Sequence, residues 1–299
     1  MENNQTQPVS MPRQAPQLVP NGINMPPEVR AAMQGTSVKS IDSPMEKTKY
    51  PSELINLPSE GFFYPEGSPL SKGQVDIKYM TAREEDILTS QNLIKKGVVL
   101  ERLLESLIIT PGVKIDDLLI GDKNALFVAA RRLAYGDSYG PVEVICRSCN
   151  ASNKRTINLA TIENETFDFS KYVRGQTTFE FILPYSKKKI QYKMLTHKDE
   201  NGVEAELEHL AKLGKGNAAP EITTRLKHMI VSIDGNSDRS YICKFVDNEF
   251  PARDSLAFRT FVRTNAPNID MEFDFVCDSC SHEERMDVPM GTSFFWPNA

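Results

Sequence analysis

Between Thr81 and Ala134 the apolar positions recur with a helical period. Val99, Leu100, Leu103, Leu104, Leu107 and Ile108 fall on one side of a 3.6-residue turn, which predicts a helix over about 98–108. Thr81-Ala82-Arg83-Glu84 sets a carboxylate three residues after a hydroxyl. That is the capping box that opens a helix, and it predicts one running to about Ile94. A third helix is predicted over about 123–134, with Asp122 as its cap. QVDIKYM (74–80) and VEVI (142–145) alternate with period two and predict strands. The turn-rich stretch LPSEGFFYPEGSPL (57–70) carries Phe62, Phe63 and Tyr64, so it reads as a packed loop.

The same order returns downstream. KKIQYKM (188–194) repeats the strand, and Thr196-His197-Lys198-Asp199 repeats the Thr-x-x-acid helix start. Ile222, Leu226, Met229, Ile230 and Ile233 make a second helical stripe. ARDSLAFRTFVRTN (252–265) aligns with IGDKNALFVAARRL (120–133), placing Asp254 on Asp122, Phe258 on Leu126 and Arg263 on Arg131. MEFDFVCDSC then aligns with PVEVICRSC at an offset of 131 residues (277 − 146), against 115 at the helix start (196 − 81). The extra residues of the second copy fit in GKGNAAPE (214–221) and IDGNSDRSYICKF (233–245). The chain therefore reads as a tandem duplication, each copy being strand, three helices, strand, Cys-x-x-Cys knuckle and strand. The expected fold is α+β: an internally duplicated helix and sheet domain with repeats over 49–174 and 175–299.

Duplication explains the cysteines. A pair of copies related by a local two-fold brings equivalent parts together, and each knuckle supplies two sulfurs of the four that tetrahedral Zn²⁺ takes. Cys146, Cys149, Cys277 and Cys280 are thus expected to close one zinc-ribbon-like site; such knuckles commonly put a left-handed glycine after the second cysteine, a conformation that Asn150 tolerates and Ser281 tolerates less well. A thioredoxin-type redox pair would sit at a helix N-terminus, whereas both pairs here lie between strands. Cys243, in the apolar run YICKFV, is expected to be a buried free thiol in a strand.

Composition narrows the rest. Residues 1–48 hold seven of the 19 prolines, many Gln and Asn and no aromatic residue, and are expected to be a disordered tail with a short helix at Met25–Gln34. That tail shows no signal-peptide pattern, and no apolar run has membrane-spanning length. The net charge of −5 opposes general nucleic-acid binding. No HExxH, GxSxG, Walker A or GxGxxG pattern is present, four thiolates leave a zinc no open position, and no catalytic residues or small-molecule substrate are expected.

LPSEGFFYPEG (57–67), Met-Thr-x-x-x-Glu-Asp-Ile-Leu (80–88), Asp-x-x-x-Leu with Tyr-Gly (122–136), the two Cys pairs and the terminal SFFWP together resemble the T4-type phage baseplate proteins over residues 50–299. The resemblance implies a virion or assembly component of a contractile tail baseplate, a hub subunit or hub assembly factor. Its partners would be other baseplate proteins, met first in the host cytoplasm. The alternatives are a zinc-ribbon nucleic-acid adaptor, resting on Arg147, Lys154, Arg155 and Lys187–Lys189, and a thiol oxidoreductase. The end of the chain, with Phe294, Phe295 and Trp296, reads either as a tail folded onto its own core or as an anchor for a partner.

Overall fold

The computed structural model describes residues 51–212, 220–290 and 294–295. The Pro/Gln/Asn-rich segment, with the helix expected at Met25–Gln34, lies outside the described residues, as do Trp296 and most of GKGNAAPE. The described residues pack as one unit.

The chain enters through an antiparallel hairpin, β1 (Ser52–Asn56) with β2 (Gln74–Lys78), in which Ser52 faces Lys78. Val75 and Ile77 point inward and are fully buried. The connecting loop turns Phe63 and Tyr64 into the core, as its aromatic content predicts. Helix α1 (Ala82–Thr89) opens at Thr81 through the expected carboxylate: Glu84 Oε2 accepts from the Thr81 N–H at 2.9 Å and its hydroxyl at 2.6 Å. The helix does not run on to Ile94. Ser90 is extended (ψ 105°), and a separate short helix, α2 (Gln91–Lys95), follows. Helix α3 (Val99–Leu107) buries Val99, Leu103, Leu104 and Leu107, the predicted stripe. Helix α4 (Ile120–Tyr135) starts earlier than expected, and hairpin β3 (Ser138–Ile145) with β4 (Ser152–Asn158) ends the first half.

The second half runs β5 (Phe179–Ile182), β6 (Lys189–Tyr192), α5 (His197–Lys212), α6 (Glu221–Met229), β7 (Ile230–Ile233), α7 (Arg239–Lys244), a π-helical turn (Phe245–Glu249), α8 (Ala252–Thr264) and hairpin β8 (Glu272–Val276) with β9 (Glu283–Asp287). Two expectations are corrected here. Ile230 and Ile233 belong to β7, which pairs with β6, so the helix ends at Met229. YICKFV is helical because the Asp238 side chain caps Tyr241 N–H at 3.1 Å, and Cys243 is half-buried there rather than buried in a strand.

The halves share polar fastenings and much of their order, although strand β7, between helices of the second half, has no named strand as its counterpart in the first. Asp199 accepts from Thr196 N–H at 3.1 Å, Thr196 Oγ1 at 3.0 Å and Lys193 Nζ at 2.6 Å. Glu84 takes the same places with Thr81 and with Lys78 Nζ, at 2.8 Å. Asp122 and Asp254 also correspond, but neither caps its own helix. Each is the third residue of its helix, and its carboxylate reaches back to the preceding hairpin loop. Asp122 takes Ser59 N–H at 2.9 Å, Ser59 Oγ at 2.6 Å and Tyr64 Oη at 2.5 Å. Asp254 takes the Tyr185 and Ser186 N–H groups at 2.7 and 2.9 Å. Leu126 and Phe258 are both fully buried. Arg131 and Arg263 are not alike: Arg131 is buried, whereas Arg263 is exposed.

A continuous apolar core runs through both halves. Where α3, α4 and α5 meet, the buried His197 ring lies between Lys123 Nζ at 3.1 Å and Glu101 Oε1 at 2.9 Å. Gly121, near the start of α4, packs tightly against the segment that follows α8: a Cβ there would sit 2.1 Å from the Pro267 carbonyl oxygen.

Candidate metal centre

Strands β3 and β8 each deliver a cysteine to the same point. Alternation along β3 turns Val144 and Cys146 inward and Ile145 outward; along β8 it turns Phe275 and Cys277 inward and Val276 outward. The inward residues form a small separate core, with Val142, Ala151, Phe273 and Met286 packed against it. Each chain turn then closes in the same way. Asn150 N–H donates to the Cys146 carbonyl at 2.9 Å, and Cys146 N–H to the Ala151 carbonyl at 3.0 Å. In the second knuckle Ser281 N–H donates to the Cys277 carbonyl at 3.0 Å, and Cys277 N–H to the His282 carbonyl at 2.9 Å. Asn150 (φ 58°) and Ser281 (φ 57°) are both left-handed, Ser281 in spite of serine's poorer tolerance of that conformation.

All four Sγ atoms lie within 4.8 Å of one another. Cys146 Sγ is 3.7 Å from Cys280 Sγ, and Cys149 Sγ is 3.6 Å from Cys277 Sγ. A Zn–S bond of about 2.3 Å gives a tetrahedron an edge of about 3.8 Å, so these spacings suit four thiolates around one ion. They are far beyond the roughly 2.05 Å of a disulfide. Cys146 and Cys277 are buried, while Cys149 and Cys280 are exposed.

The contacts across the centre are reciprocal, as a two-fold relation requires. Shifting Cys146–Cys280 by 131 residues in each direction gives Cys277–Cys149, the other close pair. Asp278 N–H donates to Asn153 Oδ1 at 2.8 Å, and its shifted counterpart, Arg147 N–H, donates to Glu284 Oε1 at 3.4 Å. Asn153, which the sequence did not mark out, and Glu284, legible only as an acid beside the second knuckle that opposes nucleic-acid binding, thus hold the knuckles together. Asn153 also directs its amide at Cys277 Sγ, 3.7 Å away. Only the 131-residue offset could have pointed to them.

Electrostatics drive the touching thiols of Cys277 and Cys149 in opposite directions. Burial opposes the Cys277 thiolate, but N–H groups of Cys280 and Ser279 and the neighbouring thiols outweigh it and bring its pKa to about 6. Cys149 is pushed up to about 12: the Ala151 N–H lowers it, but hydrogen bonding with the other thiols and burial prevail. One proton-poor and one proton-rich thiol in contact describe a cluster sharing its first negative charge. A divalent cation removes that conflict by drawing all four thiolates to itself.

Of the cations beside the first knuckle and in the β5–β6 hairpin, Lys154 and Lys187 form no salt bridge among the described residues, and the others are engaged. Arg155 holds both oxygens of Asp278 at 2.7 and 2.8 Å, donates to the Val276 carbonyl, and lies over the Phe275 ring. Arg147 faces Glu284 at 3.5 Å, Lys188 pairs with Asp234 at 3.1 Å, and Lys189 with Glu180 at 2.7 Å.

Of the two readings of the chain end, Phe294 and Phe295 follow the tail folded onto its own core, while Trp296 lies outside the described residues. Phe294 and Phe295 are fully buried, Phe294 against Tyr139 and Phe295 against Phe127. Arg131 Nε donates to the Phe294 carbonyl at 2.7 Å, and Tyr139 Oη to the Pro289 carbonyl at 2.8 Å. The end of the second half is thus fastened into the first, for a physical reason: two adjacent phenyl groups bury more favourably than they solvate. Among the described residues, no helix is long and apolar enough to cross a membrane.

No curated protein and no solved structure matches this chain significantly. The family described as T4 bacteriophage base plate protein matches residues 64–296, from the aromatic loop through both knuckles to the buried chain end. The chain belongs to the T4 bacteriophage base plate protein family.

Proposed function

We propose that this chain acts at the hub of a contractile-tail baseplate, as a hub component or hub assembly factor, through contacts with other baseplate proteins and without enzymatic activity. The proposal includes one structural Zn²⁺ held by Cys146, Cys149, Cys277 and Cys280. The family match over 64–296 supports the baseplate role. The four converging sulfurs support the metal: an all-thiolate donor set suits Zn²⁺ and leaves no coordination position for substrate or water. When bound, the ion supplies a closed cross-link between residues about 130 positions apart in the chain. Around it the protein's own groups set the geometry. The knuckle N–H groups orient the sulfurs, Asn153 and Glu284 fix one knuckle against the other, and Arg155 clamps Asp278.

The nucleic-acid reading is weakened because Arg147, Arg155, Lys188 and Lys189 already have carboxylate partners, leaving Lys154 and Lys187 without a salt bridge among the described residues. The oxidoreductase reading lacks a helix N-terminus at either knuckle, both of which are entered from strands. The test is cross-linking mass spectrometry on infected cells and purified tails carrying tagged protein. The proposal expects cross-links to hub proteins during assembly in the host cytoplasm, and in the tail as well if the chain stays in the virion. Cross-links confined to peripheral baseplate parts, or none to baseplate proteins, would overturn it.

A further inference from the structure

Each exposed cysteine of the metal centre has its sulfur beside that of a buried cysteine of the opposite knuckle. Cys280 is exposed and lies 3.7 Å from buried Cys146; Cys149 is exposed and lies 3.6 Å from buried Cys277. An oxidant reaching the centre from solvent therefore meets Cys149 or Cys280 first. The sulfur placed to react next belongs to the other half of the chain. Asn153 and Glu284 hold the knuckles in this relation, and the Arg155–Asp278 pair adds a further tie between them.

We infer that the centre is a peroxide modification site whose oxidised form is a pair of cross-half disulfides, Cys146–Cys280 and Cys149–Cys277. The inference rests on the zinc reading of the same site. The thiolate of Cys280 or Cys149 attacks one oxygen of hydrogen peroxide. The O–O bond breaks, hydroxide leaves, and the sulfur, oxidised by two electrons, becomes a sulfenic acid. The thiolate of Cys146 or Cys277 then attacks that sulfur; the S–O bond breaks, a second hydroxide leaves, and the S–S bond forms. Each disulfide consumes one peroxide, which takes up two protons to leave as two waters. Two peroxides use all four thiolates, and Zn²⁺ is released to solvent as its ligands are lost. The consequence is mechanical. Pairing within a knuckle would leave the two halves unlinked at this point, whereas pairing across replaces the metal link with two covalent ones. A baseplate protein carried out of a reducing cell would keep its halves fastened after losing the ion.

The sequence makes the pairing readable. Arg147 lies between Cys146 and Cys149, and Asp278 between Cys277 and Cys280, so trypsin with an Asp-specific protease puts each cysteine on its own peptide. Full-length zinc-loaded protein would be titrated with hydrogen peroxide. Zinc release would be followed with a chromogenic chelator, and non-reduced peptides mapped by mass spectrometry. The expected result is one zinc released per two peroxides consumed, with Cys146–Cys280 and Cys149–Cys277 peptides joined. Joined Cys146–Cys149 or Cys277–Cys280 peptides, sulfinic or sulfonic acids without disulfides, or unmodified thiols in excess peroxide would each overturn the inference. Protein that carries no zinc before peroxide is added would instead contradict the metal reading, so the two failures are distinct. Cys149→Ser serves as a second variant: it should still form Cys146–Cys280, and a Cys277–Cys280 link in its place would count against cross-half pairing.

Discussion

Glu84 is the most exacting test of how the first half is fastened. Its side chain is fully buried, and it accepts from Lys78 Nζ at 2.8 Å, from Thr81 through its N–H and hydroxyl, and from Ser106 Oγ at 2.7 Å. Burial alone would raise its pKa, but the bonds from Lys78, Thr81 and Ser106 outweigh it and lower the group from 4.5 to about 2. A shift of about 2.5 units at about 1.4 kcal/mol per unit makes the charged form worth roughly 3 kcal/mol of folding stability. Because the folded pKa is the lower one, that contribution is complete above about pH 4.5. It shrinks as pH falls toward 2 and is absent below. Glu84→Gln should therefore lose about 3 kcal/mol at pH 7, since it also leaves the largely buried Lys78 ammonium without this carboxylate. The second half supplies a control. Asp199 plays the same part with Thr196 and Lys193, but Lys193 is 38% exposed. Solvent weakens that pair, and Asp199→Asn should lose only about 1 kcal/mol. Urea unfolding followed by circular dichroism at a series of pH values measures both. The difference between wild type and Glu84→Gln should close as pH approaches 2. A difference below about 1 kcal/mol at pH 7, or one unchanged between pH 7 and pH 2, would refute this reasoning.

Removing residues 294–299 should lower stability by at least about 3 kcal/mol, because two buried phenyl groups and the Arg131 acceptor go with them; thermal unfolding checks this, and an unchanged melting temperature would return the tail to the role of partner anchor. Gly121→Ala should destabilise strongly, since its Cβ would stand 2.1 Å from the Pro267 carbonyl, while Gly97→Ala, where a Cβ meets nothing within 4 Å, should show only the milder strain of its positive φ; denaturant midpoints separate the two. Asn153→Ala should lose about 1–3 kcal/mol by leaving the Asp278 N–H without its acceptor, and hydrogen exchange should then quicken in both knuckles together.

The features most legible in sequence were those fixed by local chemistry. Thr81 with Glu84 and Thr196 with Asp199 announced helix starts because a hydroxyl and a carboxylate three residues apart bond the same helix end. The two Cys-x-x-Cys pairs announced a shared centre because each alone is half a tetrahedron. What escaped depends on partners far along the chain. Ile230 and Ile233 fit a helical stripe, yet they extend to pair with β6, forty residues earlier. YICKFV is a short apolar run, which periodicity does not assign; Asp238 ahead of it decides for helix. Asp122 was legible as important but not in its role, because Ser59 and Tyr64, which it binds, belong to a loop some sixty residues away. Arg155 lent support to the nucleic-acid alternative because its partner Asp278 lies 123 positions on.

The central claim is that one metal ion joins the two halves through Cys146, Cys149, Cys277 and Cys280. Native mass spectrometry of purified full-length protein, with elemental analysis of the same sample, tests it most directly. The account predicts one zinc per chain. Cys277→Ser should lose the ion, and amide protection should fall in β3–β4 as well as in β8–β9, because the link serves both. Wild-type protein with less than about half an equivalent of zinc, and with melting unaffected by a chelator, would contradict it.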